Sequence, residues 1–559
     1  MIKRLLPMFI AIGLIILVIA GYLGFRLIDR YTPSKEWIEA ADVFGVEGDT
    51  VALILNEEQS ETFGISIDGE VYLPVEWVNA NLNKRFYWDY EEKILSYALP
   101  TKVVYADSTT VGDSGKPLIW VTDEGVYLSL SLIAGYTDIE IGAFDEGDTK
   151  RVFINNTWES ELWAEAERSS AVRLRGGIKS PILTRVEKGS PVKVLEQMDT
   201  WSKVRTQDGF IGYIENRKLT AAQEVTPQSD FVQPEYTRTA LDEKVCMAWH
   251  QVTSREANST FDNYYANTKG LNVISPTWFA LTDNEGNYTC LADQEYVAKA
   301  HDAGLQVWAL IDNFSDNVQS EVLLSRTSVR KKLIQNLMDD AEEYGFDGYN
   351  LDFESLKESA GPHYIQFVRE MSAACRNNGL ILSIDNHVPA AYNQFYDRTE
   401  QGIVADYVII MGYDEHYAGG DPGSVASLDY VKNGILDTLE EVPKEKVINA
   451  VPFYTRVWTE MDDGTVTSEA MGIERAQNWI EENQVELYWQ DSLGQYFGEC
   501  AVEGGSQYLW MEEERSLGLK MDLIRENDLA GVACWKLGFE PEEIWDVITW
   551  NQEGQGEGE

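Results

Sequence analysis

The stretch Gly345-Phe346-Asp347-Gly348-Tyr349-Asn350-Leu351-Asp352-Phe353-Glu354 reads as a buried strand that ends in carboxylates. Alternate residues of a strand face the same way, so Asn350, Asp352 and Glu354 project from one face. Two carboxyls at that spacing cannot both ionise cheaply, which predicts one raised pKa beside one that stays low. A proton-holding acid next to an ionised carboxylate is the equipment that cuts glycosidic bonds. A lone Asp-x-Glu after a strand more often caps the next helix or meets solvent. Here a helical pattern follows the acids, and further candidates recur downstream.

On either side of this stretch, from Lys244 to about Trp550, strand-like and helix-like patterns alternate. The strands are Val245 to His250, Val273 to Ala280, Val307 to Ile311 and Gly348 to Phe353, then Leu380 to Asp385, Tyr407 to Met411, Val447 to Pro452 and Gly531 to Trp535. Helical patterns such as Ser328 to Tyr344 and Tyr364 to Cys375 separate most of them. Eight such units predict an α/β TIM (β/α)8 barrel. The gap from Glu460 to Asp528 exceeds one helix. It holds strand-like Gln495 to Val502 and Gln507 to Met511, then a helix from Arg515 to Glu526, which predicts an α+β insertion after strand seven. Chemistry in a TIM barrel sits at the C-terminal ends of the strands. That rule selects Glu354 after strand four, Tyr413 and Asp414 after strand six, and Trp535 after strand eight.

These motifs resemble those of family 18 glycoside hydrolases, the chitinase-like enzymes. Asp347, Asp352 and Glu354 match three of the four acids of the signature Asp-x-x-Asp-x-Asp-x-Glu, and Asn350 holds the remaining position. Met411-Gly412-Tyr413-Asp414 resembles the family's Met-x-Tyr-Asp motif, and Val451-Pro452-Phe453-Tyr454 its seventh-strand motif. Trp535, in Val532-Ala533-Cys534-Trp535, matches the tryptophan that floors the sugar subsite. The resemblance spans residues 244 to 550 and includes the insertion. It implies retaining hydrolysis of N-acetylglucosamine linkages in which the substrate's acetamido oxygen is the nucleophile. It implies Glu354 as general acid and base, and Asp352 as the group that bonds the acetamido N–H. Tyr413 then donates to the acetamido oxygen, Trp535 stacks beneath the ring, and Asp347 supports Asp352 from behind. Asn350, Met411 and Asp414 stand with Asp347 and Trp535 as expected substrate-binding positions. Asn350 cannot ionise, so the charge load behind Asp352 is expected to be lower than in most of the family.

The form Asp-Gly-x-Asn-x-Asp-Phe-Glu, the run Met411 to His416 and Trp535-Lys536-Leu537-Gly538 resemble the branch of spore-coat and spore-cortex hydrolases. That implies peptidoglycan as substrate. A chitinase acting on chitin oligomers is the alternative within the same class. A carbohydrate-binding protein on an inactive hydrolase fold is the alternative outside it, disfavoured by the presence of Glu354. His250, His387 and His416 also fall at strand ends, but no metal-type spacing joins them, and neither a metal nor a cofactor is expected.

A chain of 559 residues exceeds one core and predicts several domains. With 45 basic and 93 acidic residues the formal charge is −48, which argues against nucleic acid as a partner. Leu5 to Phe25 is a near-continuous apolar run preceded by Lys3 and Arg4, long enough to span a bilayer. Residues 1–30 are therefore expected to be an uncleaved, single-pass membrane anchor, with the large C-terminal part outside the cell. Residues 42–156 show short strands and a loose duplication, Glu70-Val71-Tyr72-Leu73 echoed by Gly125-Val126-Tyr127-Leu128. This segment resembles the N-terminal-like domain of copper amine oxidases, an α+β stalk, without histidines to bind copper.

Residues 168–222, with Trp201-Ser202-Lys203-Val204 and the Asp208-Gly209 turn, resemble a bacterial SH3-like barrel, which implies contact with the cell wall. Residues 223–239 read as a linker, 240–550 as the barrel and 551–559 as a disordered tail. Five cysteines without a Cys-x-x-Cys pair suggest neither a disulfide framework nor structural zinc.

Overall fold

The computed structural model describes residues 2–144 and 149–550, so the tail expected at 551–559 lies outside the described residues. The chain divides into two compact units, Met1–Phe86 with Ala106–Gln233, and Tyr87–Tyr105 with Pro234–Glu559.

The second unit holds a closed barrel. Its strands are β1 (Val245–His250), β2 (Val273–Leu281), β3 (Gln306–Asp312), β4 (Gly348–Asp352), β5 (Ile381–His387), β6 (Tyr407–Met411), β7 (Val447–Pro452) and β8 (Gly531–Trp535). Each pairs in parallel with the next, and β8 closes on β1. The eight predicted strands are therefore all present. They were legible because strands covered on both faces are apolar throughout, as in the wholly buried β6 and β7. The helix Thr327–Tyr344 stops at Gly345, where φ is +76° and the N–H bonds Ala341 O. This left-handed cap turns the chain directly toward β4. At Gly348 a Cβ would meet Ile381 O at 2.7 Å, so glycine is what lets β4 lie against β5.

The predicted insertion follows β7. It is an antiparallel sheet in the order Val466–Gly472, Tyr454–Met461, Gly505–Met511, Gln495–Val502, Leu487–Gln490, with the helix Ile473–Glu482.

Residues 87–105 also belong to this unit, although sequence reading placed them inside the 42–156 segment. They supply short strands Tyr87–Asp89 and Ile94–Leu99 and most of Lys102–Ala106. Asp89 Oδ2 accepts from Thr327 N at 2.6 Å and Glu92 Oε2 from Ser328 N at 2.8 Å. Two carboxylates thus cap a barrel helix that has no side-chain cap of its own, where the helix dipole favours negative charge. The strand pattern of 87–105 was visible in sequence, but its partner lies more than two hundred residues away.

The first unit holds two seven-stranded sheets. In one, Glu70–Pro74 and Gly125–Ser129 are each followed by a short helix, Val75–Asn81 and Leu130–Tyr136, which gives the expected duplication a physical form. The other spans strands from Glu161–Glu165 to Gln223–Val225. Its Trp201–Thr206 and Ile211–Glu215 pair across the predicted Asp208–Gly209 turn, with Gly209 at φ +70°. Trp201 and Tyr213 are half-buried, neither free side chains nor core. Arg151 donates to Gly209 O at 2.7 Å and lies 4.5–5.1 Å from the ring centres of Phe44, Phe144 and Phe210. At the N-terminus the helix Ile2–Tyr31 contains a 25-residue stretch, Pro7–Tyr31, that holds an 18-residue window of mean hydropathy 2.6. By length and composition it suffices to cross a membrane.

Candidate active site

Every residue of β4 is buried, and the chain leaves the barrel at Phe353 and Glu354. Asn313, one residue past β3, fixes this exit from both sides. Its Nδ2 donates to Glu354 O at 3.0 Å, and its Oδ1 accepts from Glu354 N at 2.9 Å. The Glu354 side chain is 31% exposed, with His387 Nε2 at 3.3 Å from its Oε2. Asp352 lies deeper, at 6% exposure.

Of the pair, Asp352 carries the raised pKa. Its pKa is raised well above the carboxylate range, first by burial and then by Asp385, Glu354 and Asp312. A hydrogen bond with the Glu354 carboxyl favours the same protonated form. Asp352 Oδ1 is buried and has no hydrogen-bond partner. Asp312, at the end of β3, is also raised, by burial and by Glu354.

Asn350 is not a substrate-binding residue in this structure. It is fully buried, and four neighbours occupy its amide. Oδ1 accepts from Trp249 Nε1 at 2.8 Å and Ser275 Oγ at 3.3 Å, while Nδ2 donates to Ser383 Oγ at 3.1 Å and Asp385 Oδ1 at 2.8 Å. The position behind Asp352 does not lack a carboxyl, however. Asp385, buried on β5, supplies a carboxyl there, its own pKa raised well above normal by burial. Sequence reading missed Asp385. The signal was present, because Ser383, Asp385 and His387 alternate along a predicted barrel strand toward its C-terminal end.

Asp347 does not support Asp352 from behind. It precedes β4, so roughly 16 Å of strand separates the two at about 3.3 Å per residue. Its Oδ2 accepts from Val307 N at 2.8 Å and meets His301 Nε2 at 2.8 Å, tying β3 and β4 together at the far end of the barrel.

The remaining expected residues gather at the near end. Tyr413 is buried, and its hydroxyl pKa is raised well above normal by burial, with Tyr454, Asp385 and Asp352 adding to it. The phenol therefore keeps its proton and can donate. Asp414, at φ +57°, accepts from the Tyr454 hydroxyl. Met411 is buried at the end of β6. Trp535 is partly exposed and stands edge-on to Trp249, ring centres 5.7 Å apart. The three strand-end histidines have separate partners. His250 bonds Tyr296 and Thr260, both at 2.9 Å, and burial with Lys536 pushes its pKa down to about 4. His416 Nδ1 lies 2.8 Å from Asp421 O. Among the described residues no three His, Cys, Asp or Glu side chains form a group that could hold a metal.

The buried acids make a prediction about stability. Asp352 and Asp385 keep protons in the folded barrel that the unfolded chain gives up once pH passes about 4. The folded state then binds more protons, so this stabilisation is full below about pH 4 and is lost as pH rises toward the raised values. Asp385→Asn keeps an acceptor for Asn350 and removes one titrating group. Its melting temperature is expected to fall less between pH 5 and pH 8 than that of the parent. Parallel slopes in thermal scans would refute the assignment.

Comparison with known proteins agrees with this geometry. Residues 209–540 match the family model of glycosyl hydrolases family 18, and residues 169–220 match the bacterial SH3 domain. The chain is 25% identical over 292 residues to YvbX of Bacillus subtilis, an uncharacterized glycosylase, covering 50% of this chain and 84% of YvbX. It is 28% identical over 244 residues to the cortical fragment-lytic enzyme of the same organism, covering 42% of this chain and 56% of that enzyme. The solved spore cortex-lytic enzyme SleL of Bacillus cereus superposes with a TM-score of 0.50 at 20% identity, over 58% of this chain and 76% of SleL, which shows a shared fold. The barrel, the placement of Asp352 and Glu354 at the end of β4 and the family match lead to one conclusion: the chain belongs to glycosyl hydrolase family 18 and is a glycosidase.

Proposed function

We propose that the barrel hydrolyses N-acetylglucosamine linkages of peptidoglycan with retention of configuration, through the substrate's own acetamido group. The observation that carries this is the unpartnered, buried Oδ1 of Asp352 beside Glu354. Leaving such an atom unpaired costs about 1–3 kcal/mol, and an acetamido N–H bound over the site satisfies it. Glu354 takes up the proton along its hydrogen bond with Asp352 and gives it to the glycosidic oxygen as the acetamido oxygen bonds the anomeric carbon and the leaving sugar departs, which leaves Asp352 as a carboxylate. Tyr413 donates to that acetamido oxygen, and Asp352 holds the N–H of the cyclic cation. Glu354 then takes a proton from water, which opens the ring from the face the leaving group vacated. Two inversions give net retention. NMR of the first-formed product is expected to show the retained anomer; the inverted anomer would exclude acetamido participation.

Similarity to a cortical fragment-lytic enzyme and the SH3 match favour peptidoglycan over chitin. The apolar helix favours an anchor that holds the barrel outside the cell, with the SH3-like unit adding wall contacts and so raising local substrate concentration. The full chain is expected to sediment with membranes, and a chain starting near Ser34 to remain in the supernatant. Recovery of the full-length product in the medium, cut near Gly21, would show a cleaved signal.

A further inference from the structure

The helix Ile2–Tyr31 ends where Thr32 N bonds Asp29 O at 3.1 Å and where Pro33, which has no N–H, cannot continue it. Extended chain follows. Ser34 N donates to Ile178 O at 2.8 Å, Ile182 N to Glu36 O at 2.8 Å and Ile38 N to Ile182 O at 3.1 Å, with Trp37 paired in parallel to Ile182. The strand Ile182–Val186 is the edge of the SH3-like sheet. The residues just past the helix therefore add themselves to that edge and cover its open backbone groups. Two side chains fasten the junction. Arg173 Nη2 donates to Ser34 O at 3.1 Å, and Lys179 Nζ donates to Asp29 Oδ1 at 3.0 Å. The end of the helix and the SH3-like unit are thus tied by backbone and side chain alike.

That junction sets a depth. Asp29 lies four residues past Phe25, where the apolar run ends, which is about 6 Å along a helix. The headgroup layer on either side of a bilayer's hydrocarbon core is roughly 5–8 Å thick. With the helix in a membrane, as proposed above, Lys179 and the loop 175–180 stand in that layer. Tyr31, 69% exposed, is a residue type that favours it. The loop is seated against the unit, since a Cβ on Gly176 would lie 3.5 Å from Trp201 and 3.6 Å from Tyr213.

The charge at this depth is positive, which the whole-chain balance hides. Residues 168–222 hold 11 basic and 5 acidic side chains, against 45 and 93 in the whole chain. Residues 26–39 are balanced, with Arg26, Arg30 and Lys35 against Asp29, Glu36 and Glu39, so the excess comes from the SH3-like unit. Arg30, Lys35 and Arg175 are exposed, and no carboxylate pairs with them among the described residues. We propose that the loop 175–180, with Arg30 and Lys35, binds the phosphates of anionic phospholipids in the leaflet from which the helix emerges. Arg175 offers a phosphate a planar fork, and Lys179 a point charge. The SH3-like unit is then seated on the bilayer by its own loop, and the rest of its surface is left for the wall. This rests on the anchoring proposed above and adds a second, polar contact to it.

The test places the full chain in lipid nanodiscs of phosphatidylcholine, alone or mixed with phosphatidylglycerol, and follows amide exchange of residues 175–180 by mass spectrometry. Exchange is expected to be about fivefold slower or more with phosphatidylglycerol, the worth of one basic side chain at an anionic surface, and high salt should remove the difference. Arg175→Gln with Lys179→Gln should abolish it. Asp29→Asn breaks the ion pair to Lys179 yet removes a negative charge, so it should keep the difference or enlarge it. Its loss in Asp29→Asn would mean that the ion pair, not the lipid, orders the loop. Equal exchange in both kinds of disc, or a difference that survives Arg175→Gln with Lys179→Gln, would overturn the proposal. So would protection by soluble poly(glycerol phosphate) in phosphatidylcholine discs with none from phosphatidylglycerol, which would assign the loop to a wall polymer. Retention of the chain by membranes is scored separately by sedimentation, so the anchor and the lipid contact can fail independently.

Discussion

Glu354→Gln is expected to lower turnover by about 10²–10⁴-fold, the usual worth of general acid catalysis, with no change in fold. The amide keeps the volume and one acceptor but has no proton to deliver to a leaving oxygen. The backbone clamp from Asn313 reaches only the main chain of residue 354, so it survives the substitution. At the side chain the substitution alters the contact to His387 Nε2 and the hydrogen bond with Asp352. Glu354→Asp is a sharper companion. It retains the proton but withdraws the carboxyl by one methylene, and misplacement of about 1 Å can cost around 10²-fold. Both variants should bind N-acetylglucosamine oligomers as the parent does. Steady-state rates on a chromogenic N-acetylglucosaminide decide the matter. Parent-like turnover of Glu354→Gln, in a protein with unchanged circular dichroism, would remove Glu354 from the acid role.

The barrel was legible because its strands are buried on both faces and read as unbroken apolar runs between helical patterns. Asp352 and Glu354 were legible because alternation along one strand is a local property. What the motif could not convey was depth. Asp347 and Asp352 stand in one signature, yet a strand's length puts them at opposite ends of the barrel, where Asp347 ties Val307 and His301. Nor could a single strand reveal what the next one brings. Asp385 restores, from β5, the carboxyl that Asn350 lacks on β4, and only the register between Asn350 and Ser383 shows this proximity. Residues 87–105 fail for the same reason on a larger scale, since Asp89 looks like any turn acid until Thr327 is found against it.

That segment also frames the largest expected effect on stability. Glu370→Ala is expected to destabilise the barrel by about 3–5 kcal/mol, the cost of stranding a buried charge. Arg330 is fully buried on the helix Thr327–Tyr344 and pairs with Glu370 on the helix Gly361–Asn378 through two bonds of 3.0 Å. Gln366 Nε2 adds a third bond to Glu370 at 2.9 Å, and Arg330 Nη1 donates to Leu324 O at 2.7 Å. The guanidinium carbon lies 4.6 Å from the ring centre of Tyr87, so the 87–105 segment covers the pair. With Glu370 gone, Arg330 keeps its bonds to Leu324 O, Ser325 O and Thr327 Oγ1 but loses its carboxylate partner. Replacing both residues together, Arg330→Met with Glu370→Leu, is expected to cost far less, because no charge is then left buried. Hydrogen exchange on the two helices in the full chain separates these cases without assuming that the whole protein unfolds in one step. Protection lost by less than about 1 kcal/mol in Glu370→Ala would mean that the pair behaves like an exposed one. A double variant as unstable as the single would mean that shape, not charge, holds these helices and the segment above them together.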